Sequence, residues 1–500
     1  MNRRPTLSKD KSKLKAVLRQ PPYAWAIELV AEGAAHSRAR GVRTIFDDAS
    51  VRFASLGSRR SGADAFNAFT EAIDDAFTAY PHAHTYVMCF DDKRHVVARK
   101  ASVQAGRRAA LGSSNGAVVE HYWSYDGASA VVNCTSHRPL PPWAAVRLDA
   151  RAYRRALDDI VAGLLERYAP PAGRRLIVDS HGGVSVLETS TDLVDGAVRV
   201  LAPYADSVPK ADIGEADITA QHYVARSRVD EPRRADVAAR ARDEPAVAVP
   251  DDARRRCFEA GDVLLATVDT DFIGLALAAH AASRDSACVR RTYVQLGTVY
   301  VLPDTDGAAP PRYCTRTTPD AERRTEIFDI ERLARLACAE HDSRLDARDL
   351  APLWSFVALC IACGNDYTRR LPGISHALMF RAYGLVRPRP LWLVERLEPW
   401  PRLNCRAFAR LVRAAYFLKL PEARRPATWS TDDSVPDWST LAAVYRGADG
   451  GTSTAPMPSP LETLRYYEQV AWSLVYAAAG TEGTAATPAA LDVDALVADE

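Results

Sequence analysis

The chain has 500 residues, 47% of them apolar and 25% charged, with a formal net charge of +1. That length accommodates two or three domains, or one domain enlarged by insertions, and the composition is globular rather than disordered or fibrous. A near-zero net charge excludes a uniformly basic nucleic-acid binder, so any grip on phosphates must come from local patches.

No apolar run approaches the roughly 18 to 20 residues that cross a bilayer, and no membrane partner is expected. The first residues, MNRRPTLSKDKSKLKAVLRQ, open with charge but have no apolar core behind it, unlike a secretory signal. A protein of the nucleus or cytoplasm, not secreted, is therefore expected. Residues 1–40 read as a basic, partly helical extension. Its lysines, Lys9, Lys11, Lys13 and Lys15, are expected in a solvated terminus, with a nuclear address or a nucleic-acid arm as alternatives. The nine cysteines show no paired spacing, and an odd number cannot all be bridged. Cys360 and Cys363 lie in the apolar run LWSFVALCIACG and read as small buried residues rather than zinc ligands.

In chain order, VRTIF (42–46) is the first strong strand and ends in Asp47 and Asp48. FNAFTEAIDDAFTAY carries apolar residues at helical spacing, and HTYVMCF is a second strand, ending in Asp91 and Asp92. Strand, helix, strand in that order begins a parallel α/β sheet. RRLIVDS supplies a further strand around Leu176 to Asp179, and ADIGEADITAQHYVA reads as a helix that opens with acids. Residues 226–257 are rich in Arg, Asp, Glu and Pro with little to bury, a charged surface insertion. DVLLATV resumes the sheet and ends in Asp269 and Asp271; TYVQLGTVYVL continues it. Two helices are expected over 326–339 and 350–363, then helical segments with Pro-rich connectors over 387–480 and a disordered tail over 481–500.

Three predicted strands thus end in acids. In an open parallel α/β sheet, ligands gather beyond the carboxyl ends of the strands, so Asp48, Asp91, Asp269 and Asp271 are expected to meet in space. Glu215 and Asp217 stand at a helix start, and Asp366 in a turn between helices. A single Asp at a strand end is most often a helix cap or a loop residue. As a set, these acids would repel one another unless cations neutralise them, and oxygen-only ligands suit Mg²⁺, with Mn²⁺ as a substitute. Two such ions about 3.5 to 4 Å apart serve phosphodiester hydrolysis.

The wording around these acids resembles the structure-specific 5′ nuclease family, which includes flap endonucleases and the xeroderma-type excision nucleases. IFDDAS is similar to its first strand, placing Asp48 rather than Asp47 in the ligating role. CFDDK, with Asp91, is similar to its Phe-Asp-Gly, and GEADITA, with Glu215 and Asp217, to its Glu-Ala-Glu helix start. ATVDTDFIGLAL, with Asp269 and Asp271, resembles its Asp-x-Asp segment. ALCIACGNDYTRRLPGISHA, with Asp366, resembles its Gly-x-Asp-Tyr turn into a helix–two-turn–helix.

The resemblance implies a PIN-like catalytic domain over 41–386, with insertions over 92–205 (an arch or cap) and 226–257. It implies a two-metal site of all seven acids and in-line attack of an activated water on phosphorus. The products are a 5′-phosphate and a 3′-hydroxyl, on branched, flapped or nicked DNA. Arg99 and Lys100 fall where the family has a basic arch, and Arg369, Arg370, Gly373, Ser375 and His376 where it grips duplex phosphates. The family's Gly-Ile-Gly-Pro-Lys turn is here Gly373-Ile374-Ser375-His376-Ala377, which weakens or alters that grip. The family's N-terminal Met-Gly-Ile is missing, and the last residues contain no sliding-clamp motif. Divergent viral members of the family cut messenger RNA, so an RNA-cleaving host-shutoff-like ribonuclease is one alternative. A catalytically silent nucleic-acid-binding or scaffold relative is another.

Overall fold

The structure is a computed structural model. It describes residues 14–31, 39–91, 125–180, 183–189, 198–201, 261–282, 291–303, 311–339, 351–364, 371–386, 393–396, 401–422, 438–447 and 460–479, and, as short pieces, 216, 219–220, 224, 368, 425 and 457–458. The charged stretch 226–257 and the tail 481–500 lie outside the described residues.

The elements run α1 (Leu14–Leu18), β1 (Ile27–Ala31), β2 (Val42–Asp48), α2 (Ala49–Ala54), α3 (Gly62–Ala79) and β3 (Thr85–Cys89). Then come α4 (Trp143–Leu148), α5 (Ala150–Arg167), β4 (Arg175–Ser180), β5 (Gly183–Thr189), β6 (Val198–Leu201), β7 (Asp262–Ala266), α6 (Asp271–Ala282) and β8 (Thr292–Leu302). β9 (Arg312–Cys314), β10 (Glu322–Asp329), α7 (Ile330–Ala339), α8 (Ala351–Ala362) and α9 (His376–Val386) follow. The chain ends in β11 (Val394–Arg396), β12 (Arg402–Leu403), α10 (Cys405–Lys419), α11 (Trp438–Gly447) and α12 (Pro460–Ala479).

One mixed sheet organises the molecule, in the order β1-β10-β8-β7-β2-β3-β4-β5-β6, with β9 beside β8. Its central strands, β8, β7, β2, β3 and β4, are mutually parallel, while both flanks are antiparallel. Counted along the chain, the five parallel strands lie in the order third, second, first, fourth, fifth, so the direction of winding reverses between β2 and β7. Helices link three of the four steps: α3 from β2 to β3, α5 from β3 to β4, α6 from β7 to β8; between β4 and β7 come β5 and β6.

Strand alternation divides the core into two layers. Phe46, Val87 and Leu265 face one cluster, which also takes in the helices from α6 onward. Ile45, Tyr86 and Leu264 face the other, beneath α2, α3, α4 and α5. In α3 the buried Ala65, Phe69, Ile73 and Phe77 repeat at one helical turn, and Ser61 caps its start by accepting the Asp64 N–H at 3.1 Å.

Three expectations meet a different arrangement. Residues 27–31 form an edge strand on β10 rather than helix, and Ile27 and Val30 are buried in that pairing. The helix predicted from 326 begins at Ile330, and Glu326 to Asp329 instead complete β10. In the stretch read as an arch or cap, residues 143–201 supply two helices and three strands of the main sheet, β4 among the parallel set.

Lys15 is not solvated. It pairs with the buried Glu326 at 2.9 Å; Arg19 binds both oxygens of the same carboxylate at 2.8 and 2.9 Å, and the Tyr313 hydroxyl donates at 2.8 Å. Lys9, Lys11 and Lys13 lie outside the described residues.

The described residues of the C-terminal region form three helices and the β11–β12 pair, and they pack into the same core as α6 to α9. Tyrosine hydroxyls tie them down: Tyr467 to the Leu403 carbonyl at 2.7 Å, Tyr445 to the Tyr416 carbonyl at 2.7 Å, and Tyr466 to the Ala362 carbonyl. Cys360 and Cys363 are buried thiols, as read from their apolar context. Among the described residues no helix is long and apolar enough to cross a membrane.

Candidate functional site

The parallel register sets the acids side by side. Asp48 closes β2 opposite Cys89 of β3, and Asp91 follows two residues later; Asp47 lies opposite Ala266 of β7, and Asp269 follows three residues beyond it. Asp48, Asp91 and Asp269 are therefore delivered to the carboxyl ends of three adjacent strands, at the reversal of winding. Asp271 opens α6, where the helix dipole favours negative charge. The reversal point is where open α/β sheets bind their ligands.

Adjacent Asp47 and Asp48 have opposite fates because successive strand residues face opposite ways. Asp47 is buried toward Arg52, with both carboxylate oxygens at 3.4 Å from one guanidinium nitrogen. The charge of Asp47 raises the Arg52 pKa against the opposing effect of burial, with Tyr86 adding to the rise. Asp48 occupies the N-cap position of α2, yet its side chain makes no capping bond. The simplest alternative for an acid at a strand end thus fails here.

Small polar groups knit the ends together. The Thr267 hydroxyl reaches Asp48 Oδ2 at 3.4 Å and accepts the Asp269 N–H at 3.0 Å, while Asp269 Oδ1 accepts the Asp271 N–H at 3.1 Å. On the other flank, Ser50 Oγ accepts the Asp91 N–H at 2.6 Å. Asp91 Oδ1 accepts the N–H of Ala216 at 3.0 Å. Ala216, Thr219, Ala220 and Val224 are helical and buried, in keeping with the helix read there. Glu215 and Asp217, the chain neighbours of Ala216, lie outside the described residues, as do Asp366, Arg99, Lys100, Arg369 and Arg370.

The turn after the Asp366 segment is described from Leu371. Gly373 is exposed with φ of 70°, a conformation glycine adopts without strain. Ser375 Oγ accepts the Leu378 N–H at 3.2 Å, the bond of a helix cap, and His376 is buried at 3% exposure in the first turn of α9. The His376 ring is thus enclosed rather than presented to solvent, while the half-buried Ser375 keeps its hydroxyl proton to donate.

Sequence reading passed over four residues at this end of the sheet. Asp179, the penultimate residue of β4, pairs with Cys89, is buried at 1% exposure, and belongs to a strand already identified by RLIVDS. Thr267 stands inside the quoted ATVDTD segment. Tyr153 and Arg147 come from α5 and α4; the signal was that α5 feeds a parallel strand, which places its first turn at the carboxyl end of the sheet. Tyr153 is buried at 7% exposure, and its hydroxyl pKa is raised by burial first and then by the charge of Asp91, with Asp48 contributing and Arg147 opposing.

The donor set is oxygen-only and suits a hard divalent cation. Among the described residues, no three Asp, Glu, His or Cys side chains converge on one point at metal-holding range. The described carboxylates outline one end of a site that three further acids of the predicted set would have to join. No family model matches the chain, and no curated protein matches it.

Proposed function

We propose that the protein is a divalent-metal-dependent phosphodiester hydrolase, a flap-endonuclease-like nuclease acting on branched, flapped or nicked DNA. One observation carries the reading: three adjacent parallel strands deliver Asp48, Asp91 and Asp269 to the point where the sheet reverses its winding, and Asp48 is not spent on capping. Asp48, Asp91, Glu215 and Asp217 would hold one Mg²⁺ (or Mn²⁺) and Asp269, Asp271 and Asp366 another. When bound, the ions supply Lewis acidity and a water that ionises near neutrality. The chain's own groups do the positioning. Thr267 fixes Asp48 relative to Asp269, and Ser50 fixes the backbone that carries Asp91.

A second reading, the same chemistry directed at single-stranded RNA, is favoured by the turn at 373–377. With His376 buried, one of the two side chains that replace the resembled family's glycine and lysine in this turn is withdrawn from any duplex phosphate.

Cleavage of end-labelled 5′-flap DNA, nicked duplex and single-stranded RNA, with Mg²⁺ or EDTA, tests both. Metal-dependent cutting that Asp269→Asn reduces by a factor of 10² or more, on the order of one lost electrostatic contribution, is the expected result. The preferred substrate then chooses between DNA and RNA. Folded protein that cuts none of the three would leave the scaffold relative as the surviving account.

A further inference from the structure

The resemblance suggested Arg99 and Lys100 as the cations that meet the scissile phosphate. A different cation stands among the described residues. Asp149 separates α4 from α5 and caps α5 by accepting the N–H groups of Arg151 at 2.8 Å and Ala152 at 3.2 Å. Two residues before this corner is Arg147, exposed and without an ion pair among the described residues. One turn after it is Tyr153, whose ring stacks edge-on against Phe53 at 4.8 Å; Phe53 in turn touches Phe90 at 6.5 Å. Phe53 belongs to α2, which starts directly after Asp48, and Phe90 directly precedes Asp91. The α4–α5 corner is thus pinned by aromatic contacts to the two strand ends that carry the acids. The Tyr153 hydroxyl lies within electrostatic reach of Asp91 and Asp48 and also of Arg147.

We propose that Arg147 is a substrate-phosphate contact at the Asp48–Asp91 end of the site, set in place by the buried Tyr153–Phe53–Phe90 stack. This rests on the phosphodiesterase reading. A polyanion approaching a cluster of carboxylates is repelled, and a cation fixed at the rim offsets that repulsion while its planar fork pairs with two phosphate oxygens. An arginine with no ion-pair partner among the described residues is available for that pairing, and the rigid corner spares it the entropy of finding the phosphate.

The test uses the full chain, with binding read in Ca²⁺ and cutting in Mg²⁺, on 5′-flap DNA and on single-stranded RNA. Arg147→Ala is expected to weaken binding about tenfold, the loss of one charge-assisted contact. It is also expected to flatten the dependence of log affinity on log salt by about one unit of slope. Arg147→Lys is expected to restore the slope and only part of the affinity, and thermal unfolding of both variants should match the parent. Asp269→Asn serves as the contrast, losing cleavage while retaining binding. A parent that cuts while Arg147→Ala binds and cuts equally well, with an unchanged salt slope, overturns the role of Arg147 and leaves the nuclease reading standing. A folded parent that neither binds nor cuts either substrate overturns both.

Discussion

At the scale of single residues, two neighbouring aspartates separate stability from chemistry. Asp47 is buried against Arg52, and its removal leaves a half-buried guanidinium without its carboxylate. Asp47→Asn should therefore lower unfolding free energy by about 1 to 2 kcal/mol, the cost of losing a charge-assisted bond to a partly solvated partner, read as a shift in a urea transition. Asp48→Asn should leave that transition in place, since its side chain caps nothing, and abolish metal-dependent cutting. Equal stability losses in the two variants would refute the division of roles. Glu326 carries a pH signature. Burial opposes its charge, but the Arg19 hydrogen bonds and the charges of Lys15 and Arg19 outweigh burial and hold its pKa below the ordinary carboxylate value. A depressed folded pKa contributes stability that is fully present above the unfolded value, about 4.3, and is lost as pH falls through the folded one. The melting temperature should drop as pH is lowered below about 4.3, and Glu326→Gln, less stable at neutral pH, should show a shallower acid limb.

At the scale of elements, the close approach of a loop to a helix start governs the wall beside the site. A Cβ on Gly62, the first residue of α3, would lie 2.1 Å from the Asn133 carbonyl oxygen. That neighbour is backbone, held by Asp159 Oδ2, which accepts the N–H groups of Val131 at 2.7 Å and Val132 at 3.0 Å. Gly62→Ala should cost about 1 to 3 kcal/mol, the range for forced overpacking, measurable by chemical denaturation. An unchanged midpoint would mean that the loop yields freely. The strands that carry the acids were legible in sequence because VRTIF, HTYVMCF and DVLLATV are short, apolar and end abruptly in charge. Asp48 and Asp91 were legible for the same reason. β1 was not, since IELVA acquires its strand character from pairing with β10, nearly 300 residues later in the chain. Nor was the anchoring of Lys15: a lysine among lysines looks solvated until the buried glutamate it meets is known. Tyr153 and Arg147 were missed because aromatic and basic residues on a helix carry no local mark of the strand ends they face.

At the scale of the whole molecule, the order of the parallel strands has a consequence for how the protein is made. The first strand of the site, β2, is flanked on one side by β3 and on the other by β7, and the Asp48–Thr267 contact joins residues 219 positions apart. During synthesis β2, β3 and β4 emerge first, and the edge of β2 has no partner until the ribosome has passed residue 266. Until then the nascent chain presents an apolar strand edge, the kind of surface that templates pairing between chains. Long-range closure of this sort is slow. The carboxylates themselves temper the hazard, because an edge that ends in Asp47 and Asp48 repels a second copy of itself. The acids proposed to hold a cation in the mature site thus guard the growing chain before β7 arrives.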